Sequence, residues 1–174
     1  MEQGVVLETE RLLLREFQLE DTDALLKVLG DGLAMRYYPS PFPRYEVEDW
    51  IRRNRARYDD CGFGLWAMLL KTSGELIGDC GFLVREVEGA FEYELGWHVR
   101  RDLWGNGYAT EAARRCIAHA FGKLGAERIV ALIRPENISS CRVAEKNQMR
   151  CERIIFWRGF DHCVYAKNRA RNEP

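Results

Sequence analysis

Apolar residues recur along this chain in two rhythms. One repeats at every second position, the period of a half-buried strand. The other repeats at steps of three and four, the period of an amphipathic helix. Strand-like runs cover residues 11–17, 65–71, 76–85 and 91–99, then 128–134, 151–158 and 162–167. The turn signals Thr72-Ser73-Gly74-Glu75 and Glu88-Gly89 lie between the second, third and fourth runs. Such short connections predict an antiparallel meander.

Helical spacing appears in four places. Ala24, Leu25, Val28 and Leu29 follow Asp21, which is placed to cap them, and Gly30 and Gly32 end the run. Pro39, Pro41 and Pro43 exclude a regular helix from the next stretch. Val47, Trp50, Ile51 and Tyr58 then share one side of a second helix. Ala109, Ala112, Ala113, Cys116, Ile117, Ala120, Phe121 and Leu124 form the clearest apolar stripe in the chain, with Gly125 placed to end it. Residues 138–146 predict a short fourth helix. The order β-α-α-β-β-β-α-β-α-β-β predicts an α+β fold: a mixed, mostly antiparallel seven-stranded sheet with helices on both faces.

Length and composition set limits. At 174 residues the chain is long enough for one domain with a real core, expected to span 1–174, with its core over 7–167 and a short C-terminal tail. Hydrophobic residues make up 47% and charged residues 30%, the balance of a globular protein. The formal net charge is -1, so no field draws the whole surface toward nucleic acid. Arg52, Arg53, Arg55 and Arg57 are flanked by Glu46, Glu48, Asp49, Asp59 and Asp60, which reads as a solvated helix face. The six cysteines include no Cys-x-x-Cys pair, so neither a metal site nor a disulfide framework is expected. Cys116 falls inside an apolar stripe and reads as packing. The start Met1-Glu2-Gln3-Gly4 has no basic segment leading into an apolar run. No run approaches the ~18 apolar residues that cross a bilayer, and a cytoplasmic setting without membrane contact is expected.

The chemistry concentrates in Gly96-Trp-His-Val-Arg-Arg-Asp-Leu-Trp-Gly-Asn-Gly-Tyr-Ala-Thr-Glu111. A strand enters a glycine-containing loop, and the loop opens straight into the best helix. Unpaired N–H groups at a helix start, aided by the helix dipole, form an anion site. Gly105 and Gly107 let the backbone approach a phosphate, and Thr110 adds a hydroxyl in the first turn. A dinucleotide fingerprint is excluded, because Thr110 stands where its third glycine belongs and no parallel βαβ unit precedes the loop. A P-loop is excluded by the lack of Gly-Lys-Ser/Thr.

Trp104-Gly-Asn-Gly-Tyr-Ala-Thr-Glu-Ala112 resembles the acyl-CoA pyrophosphate loop of the GNAT acetyltransferases, especially the branch that acetylates N-terminal amines of ribosomal proteins. Leu7-Glu-Thr-Glu-Arg-Leu-Leu-Leu-Arg15 and Asn137-Ile-Ser-Ser-Cys-Arg-Val-Ala-Glu-Lys146 resemble further segments of that branch, in the same order. The resemblance implies acetyl-CoA as cosubstrate, with no metal. It implies that the fourth and fifth predicted strands splay apart around pantetheine, which pairs with backbone near Trp97, His98 and Val99. Arg101, Trp104, Gly105, Asn106, Gly107, Tyr108, Ala109 and Thr110 hold the pyrophosphate in this reading, and Asn137, Arg142 and Lys146 line the far side of the CoA.

Three positions depart from the family pattern. Asp102 stands where a Gln or Arg is usual, leaving the phosphate contact to neighbouring Arg101. Ala144 stands where a tyrosine often protonates the thiolate. Gln148-Met149 replaces Gly-Phe after the last helix. By analogy with the branch, Ser140 becomes the candidate acid, or else a local hydrogen-bonding group. Glu94 is the first candidate base, or else a structural ion-pair partner. Glu92 and His98 share its face unless a bulge intervenes. Direct attack in a ternary complex is expected, rather than an acetyl-Cys141 intermediate. Tyr37, Tyr38 and Phe42 make the loop between the first two helices aromatic and either clasp a substrate or pack on the core.

The expected activity is transfer of an acetyl group from acetyl-CoA to a primary amine, either a peptide or protein N-terminus or a small molecule. A non-catalytic acyl-CoA sensor is the alternative from another class. A nucleic-acid module using the arginine-rich helix is a third, opposed by the charge balance. A monomer or homodimer fits the resemblance.

Overall fold

A computed structural model of the protein describes residues 4–170. The Met1-Glu2-Gln3 start and the end of the C-terminal tail lie outside the described residues. In chain order the elements are β1 (Val5–Glu8), β2 (Leu12–Arg15), α1 (Thr22–Leu29), α2 (Arg44–Cys61), β3 (Leu65–Leu70), β4 (Leu76–Val87), β5 (Ala90–Val99), α3 (Tyr108–Gly122), β6 (Arg128–Ile133), α4 (Ile138–Lys146), β7 (Arg150–Trp157) and β8 (Phe160–Asn168).

The strands form one sheet in the order β1-β2-β3-β4-β5-β6-β8-β7. Every pairing is antiparallel except β5 with β6. The sheet has eight strands rather than the seven expected. The extra strand, β1, spans only four residues, and its register with β2 shifts between Val5 and Leu7. A run so short and irregular carries no period-two signal.

Side-chain alternation sends Leu65 and Ala67 of β3 to one face and Trp66 and Met68 to the other. The first pair packs with Leu25, Val28, Leu29, Val47 and Ile51 of α1 and α2. The second pair packs with Ala112, Ala113, Cys116 and Ile117 of α3 and with Ala144 of α4. Helices therefore cover both faces, as the periodicity predicts. Asp21 does not cap α1 with its side chain. Its carboxylate instead takes both terminal nitrogens of Arg15 at 2.7 Å and the Gln18 amide at 2.8 Å. Helix α3 ends at Gly122, and Gly125 follows with φ 68° in the turn toward β6. All six cysteines are free, and no helix among the described residues is long and apolar enough to cross a membrane.

Candidate active site

Gly105 and Gly107 both adopt φ 82°, a left-handed conformation that disfavours any residue with a Cβ. Gly107 stands at the N-cap of α3, and no side chain caps that end. The first helical hydrogen bond runs from the Glu111 amide to the Gly107 carbonyl at 3.0 Å. The amides of Tyr108, Ala109 and Thr110 therefore have no intrahelical acceptor and point along the helix axis. These open amides lie at the helix start where the sequence leads one to expect an anion site. Asn106 holds the loop from within, its Nδ2 donating to the Leu103 carbonyl at 3.0 Å. Arg101 reaches away to Asp31, with Nε 2.9 Å from Oδ2. Asp102 is paired with Arg100 at 2.7 Å, which holds its carboxyl below the usual range.

A brace from the first hairpin fixes this loop. Thr9 Oγ1 donates to Glu111 Oε1 at 2.6 Å, and Arg11 Nε donates to Glu111 Oε2 at 2.7 Å. Arg11 Nη1 also donates to the Asn106 carbonyl at 3.0 Å, and its guanidinium lies 4.5 Å above the Tyr108 ring. These contacts give the opening Thr-x-Arg a physical role that sequence reasoning does not assign. The only signal along the chain is that this segment resembles the family alongside the loop. Burial raises the Glu111 pKa, but bonds from Thr9 and from the Arg11 amide and side chain outweigh it and leave the carboxyl below its usual value. A depressed carboxyl stabilises the fold above its unfolded pKa and loses that contribution as pH falls through the folded value. Glu111→Gln is thus expected to lower Tm at pH 7. The gap from wild type should narrow progressively below about pH 4.3, as thermal melts across pH will measure.

The strands of the sheet part beside the loop. β5 pairs with β6 only through Tyr93 with Ile129 and Glu94 with Val130. The Arg100 amide donates to the Ile77 carbonyl of β4 at 2.8 Å. Successive peptide groups in a strand face opposite edges, so those of His98 also face β4 and those of Trp97 and Val99 face the cleft. The Val99 carbonyl accepts from Trp104 Nε1 at 2.7 Å, which leaves the Val99 N–H turned into the gap. His98 contributes a side chain to the site, on the α1/α2 face. The β4–β5 register runs without a bulge, so Glu92, Glu94 and His98 do share that face.

There His98 joins two groups. Its Nδ1 lies 2.7 Å from Asp79 Oδ1, and its Nε2 lies 2.8 Å from the Tyr38 hydroxyl. Asp79 is 0% exposed, and its Oδ2 accepts from Trp50 Nε1 at 3.0 Å. Phe42 packs edge-on to Tyr38 and Trp50, with centroids 6.1 and 5.7 Å away. Tyr37 spans to the loop after β6, its hydroxyl donating to the Glu136 carbonyl at 2.9 Å. The aromatic loop thus packs on α2 through Phe42 and reaches the loop after β6 through Tyr37. Glu94 Oε2 accepts from Arg85 Nε at 2.6 Å. Neither Asp79 nor Trp50 stands out in the sequence as a site residue. The one available signal is an acid inside the apolar run Leu-Ile-Gly-Asp-Cys-Gly-Phe of β4.

Helix α4 closes the other side. Asn137 caps it, its Oδ1 accepting from the Ser140 amide at 3.2 Å. Ser140 sits half-buried in the first turn, and Arg142 and Lys146 are exposed one turn apart, with no side-chain partner among the described residues. Asn147 ties α4 to the start of α3, its Nδ2 donating to the Thr110 carbonyl at 3.3 Å. Gln148 takes φ 62°, which explains why glycine is usual there, and Met149 is buried behind it. Cys141 is buried, and that burial raises its thiol pKa, so it is a poor nucleophile.

A sheet that parts at its one parallel strand pair, beside a helix start that no side chain caps, is an α+β architecture shared with solved acetyltransferases. The family model described as an acetyltransferase (GNAT) domain matches residues 11–150, and the chain belongs to that family of N-acetyltransferases. It is 35% identical over 150 residues to the uncharacterized protein YkkB of Bacillus subtilis strain 168, covering 86% of this chain and 87% of that one. The crystal structure of a GNAT-family acetyltransferase from Bacillus anthracis matches with a TM-score of 0.80 and 29% identity, covering 93% of this chain and 97% of that one. RimL, a ribosomal L7/L12 alpha-N-protein acetyltransferase in complex with coenzyme A, shares the fold at a TM-score of 0.74 and 18% identity, over 95% and 98% of the two chains.

Proposed function

We propose that this chain is a single acyltransferase domain over residues 1–174 that moves an acetyl group from acetyl-CoA to a primary amine, by direct attack in a ternary complex. The observation that carries the reading is the set of open amides at Tyr108, Ala109 and Thr110, continuous with the open edge of β5 at Trp97 and Val99. The coenzyme-A complex of RimL supports it through the shared fold. In this reading the loop from Arg101 to Thr110 takes the pyrophosphate. Asn137 orders α4, from which Arg142 and Lys146 reach the nucleotide end through charge-assisted bonds. The Val99 N–H polarises the thioester carbonyl and stabilises the oxyanion. Ser140 protonates the departing thiolate. Glu94, the first candidate base along the chain, is held in an ion pair by Arg85 on the acceptor side of the sheet.

The acceptor enters between the aromatic loop and the β7–β8 hairpin. An α-amino group, with a pKa of about 7.7–8.0, is partly neutral at physiological pH and needs less help than a lysine near 10.4. A peptide or protein N-terminus therefore leads, with small primary amines behind it. The enzyme acts in the cytoplasm as a monomer or homodimer.

The test is CoA release from acetyl-CoA in the presence of an alanine-initiated peptide, a serine-initiated peptide, spermidine or kanamycin, with mass spectrometry of the amine product. Acetylation of at least one amine, the peptides first, is expected. Tight acetyl-CoA binding without any acetylated product would instead identify an acyl-CoA-binding module.

A further inference from the structure

We propose that Tyr38, His98 and Asp79 form a proton relay that takes the proton from the attacking amine. The inference rests on the transferase reading above and adds to it the residue that meets the amine. Tyr38 is the catalytic residue, while His98 and Asp79 are positioning residues that act through it.

The direction of the relay follows from the hydrogen bonds. Asp79 lies fully inside the sheet, and an ionised carboxylate only accepts. Trp50 Nε1 occupies Oδ2, so the contact at Oδ1 must be an Nδ1–H from His98. In a neutral imidazole the other nitrogen is then an acceptor, and it receives the Tyr38 hydroxyl at 2.8 Å. The tautomer is thus fixed from the buried end outward. Tyr38 as a whole is 39% exposed, yet its hydroxyl turns inward onto His98. Desolvation, with the charges of Asp79 and Glu94, raises the pKa of that hydroxyl, so Tyr38 passes a proton as a neutral phenol instead of standing as a phenolate.

The proton balance closes. The amine nitrogen forms the C–N bond as the C–S bond breaks, and the electron pair leaves on sulfur. The proton lost from nitrogen goes to the Tyr38 oxygen while Tyr38's own proton goes to His98 Nε2. Asp79 stabilises the resulting imidazolium, which returns its proton to solvent. The thiolate takes its proton through Ser140. The charged and titratable groups facing this relay are Asp79 and Arg85 of β4, Glu94 of β5 and Arg158 in the β7–β8 turn. Glu94 is already committed to Arg85, whereas the His98–Tyr38 pair has a route to solvent along the exposed tyrosine rim.

Tyr38→Phe and His98→Gln test the relay, using whichever amine of the four above wild type acetylates. Each variant is expected to lose about 10²-fold in kcat while its acetyl-CoA Kd by calorimetry stays within about twofold of wild type. Nitrogen–proton correlation spectra of the wild-type imidazole should show the neutral Nδ1–H tautomer, with the Nε2 resonance shifting in Tyr38→Phe. Turnover within about threefold of wild type, or an Nε2–H tautomer, would each overturn the relay while leaving the transferase reading intact. A wild type that acetylates none of the four amines refutes the transferase reading and the relay with it.

Discussion

Calorimetry of the Gly107→Trp variant is expected to give no measurable binding of acetyl-CoA or desulfo-CoA, at least ~100-fold weaker than wild type. Two effects combine. Gly107 holds φ 82°, where a bulky side chain costs about 1–3 kcal/mol. The indole also grows from the N-cap of α3, over the amides of Tyr108, Ala109 and Thr110, where the phosphates are to lie. A Cβ added there meets Arg11 Nη2 at 3.6 Å, an ordinary contact, so the cost falls on the backbone conformation and the ligand rather than on the packing of the fold. Gly107→Ala isolates the conformational part: left-handed alanine costs about 1–2 kcal/mol, or roughly tenfold in affinity. Desulfo-CoA removes any contribution of the thiol, so equal losses for both ligands place the defect at the phosphates. A Gly107→Trp protein that melts like wild type and still binds desulfo-CoA tightly would remove the loop from the site.

The two halves of the site are unequally legible in the sequence, for a physical reason. The glycine loop proposed to take the pyrophosphate is local. Strand, glycines and helix follow one another within sixteen residues, so the pattern and the chemistry coincide. The relay is assembled across elements instead. Tyr38 comes from the loop before α2, Trp50 from α2, Asp79 from β4 and His98 from β5, and only the β4–β5 register brings Asp79 opposite His98. No spacing along the chain encodes that register. The same holds for Glu94. Its bond to Arg85 is a diagonal cross-strand contact, since Leu83 is its direct partner. The sequence points to Glu94, Tyr38 and His98 separately, with a different role for each, and the geometry groups them. Short β1 escapes a reading of the pattern because four residues carry no period, yet its hairpin delivers Thr9 and Arg11 to the loop.

Because the β4–β5 register positions His98, a small change there should reach the chemistry. A Cβ added at Gly78 would stand 1.9 Å from the His98 carbonyl oxygen and 2.9 Å from its carbonyl carbon. Both atoms are backbone, so neither can rotate aside, and β5 must shift or the pairing must open. Overpacking of this kind costs about 1–3 kcal/mol. For a domain of this size Gly78→Ala should therefore melt about 3–10 °C below wild type. Displacing the imidazole by even an ångström should add a loss of about 10²-fold in kcat, beyond what reduced folding explains at temperatures where the variant is intact. Gly96→Ala is the comparison. It lies on the neighbouring strand, where an added Cβ meets only Leu65 Cδ2 at 3.4 Å, the end of a flexible side chain. Its melt should stay within about 1 kcal/mol of wild type, because only the tip of one leucine has to give. If Gly78→Ala and Gly96→Ala melt alike, the close approach of β4 to β5 does not hold the register. If Gly78→Ala melts early yet keeps its kcat, the register stabilises the sheet without setting the position of His98.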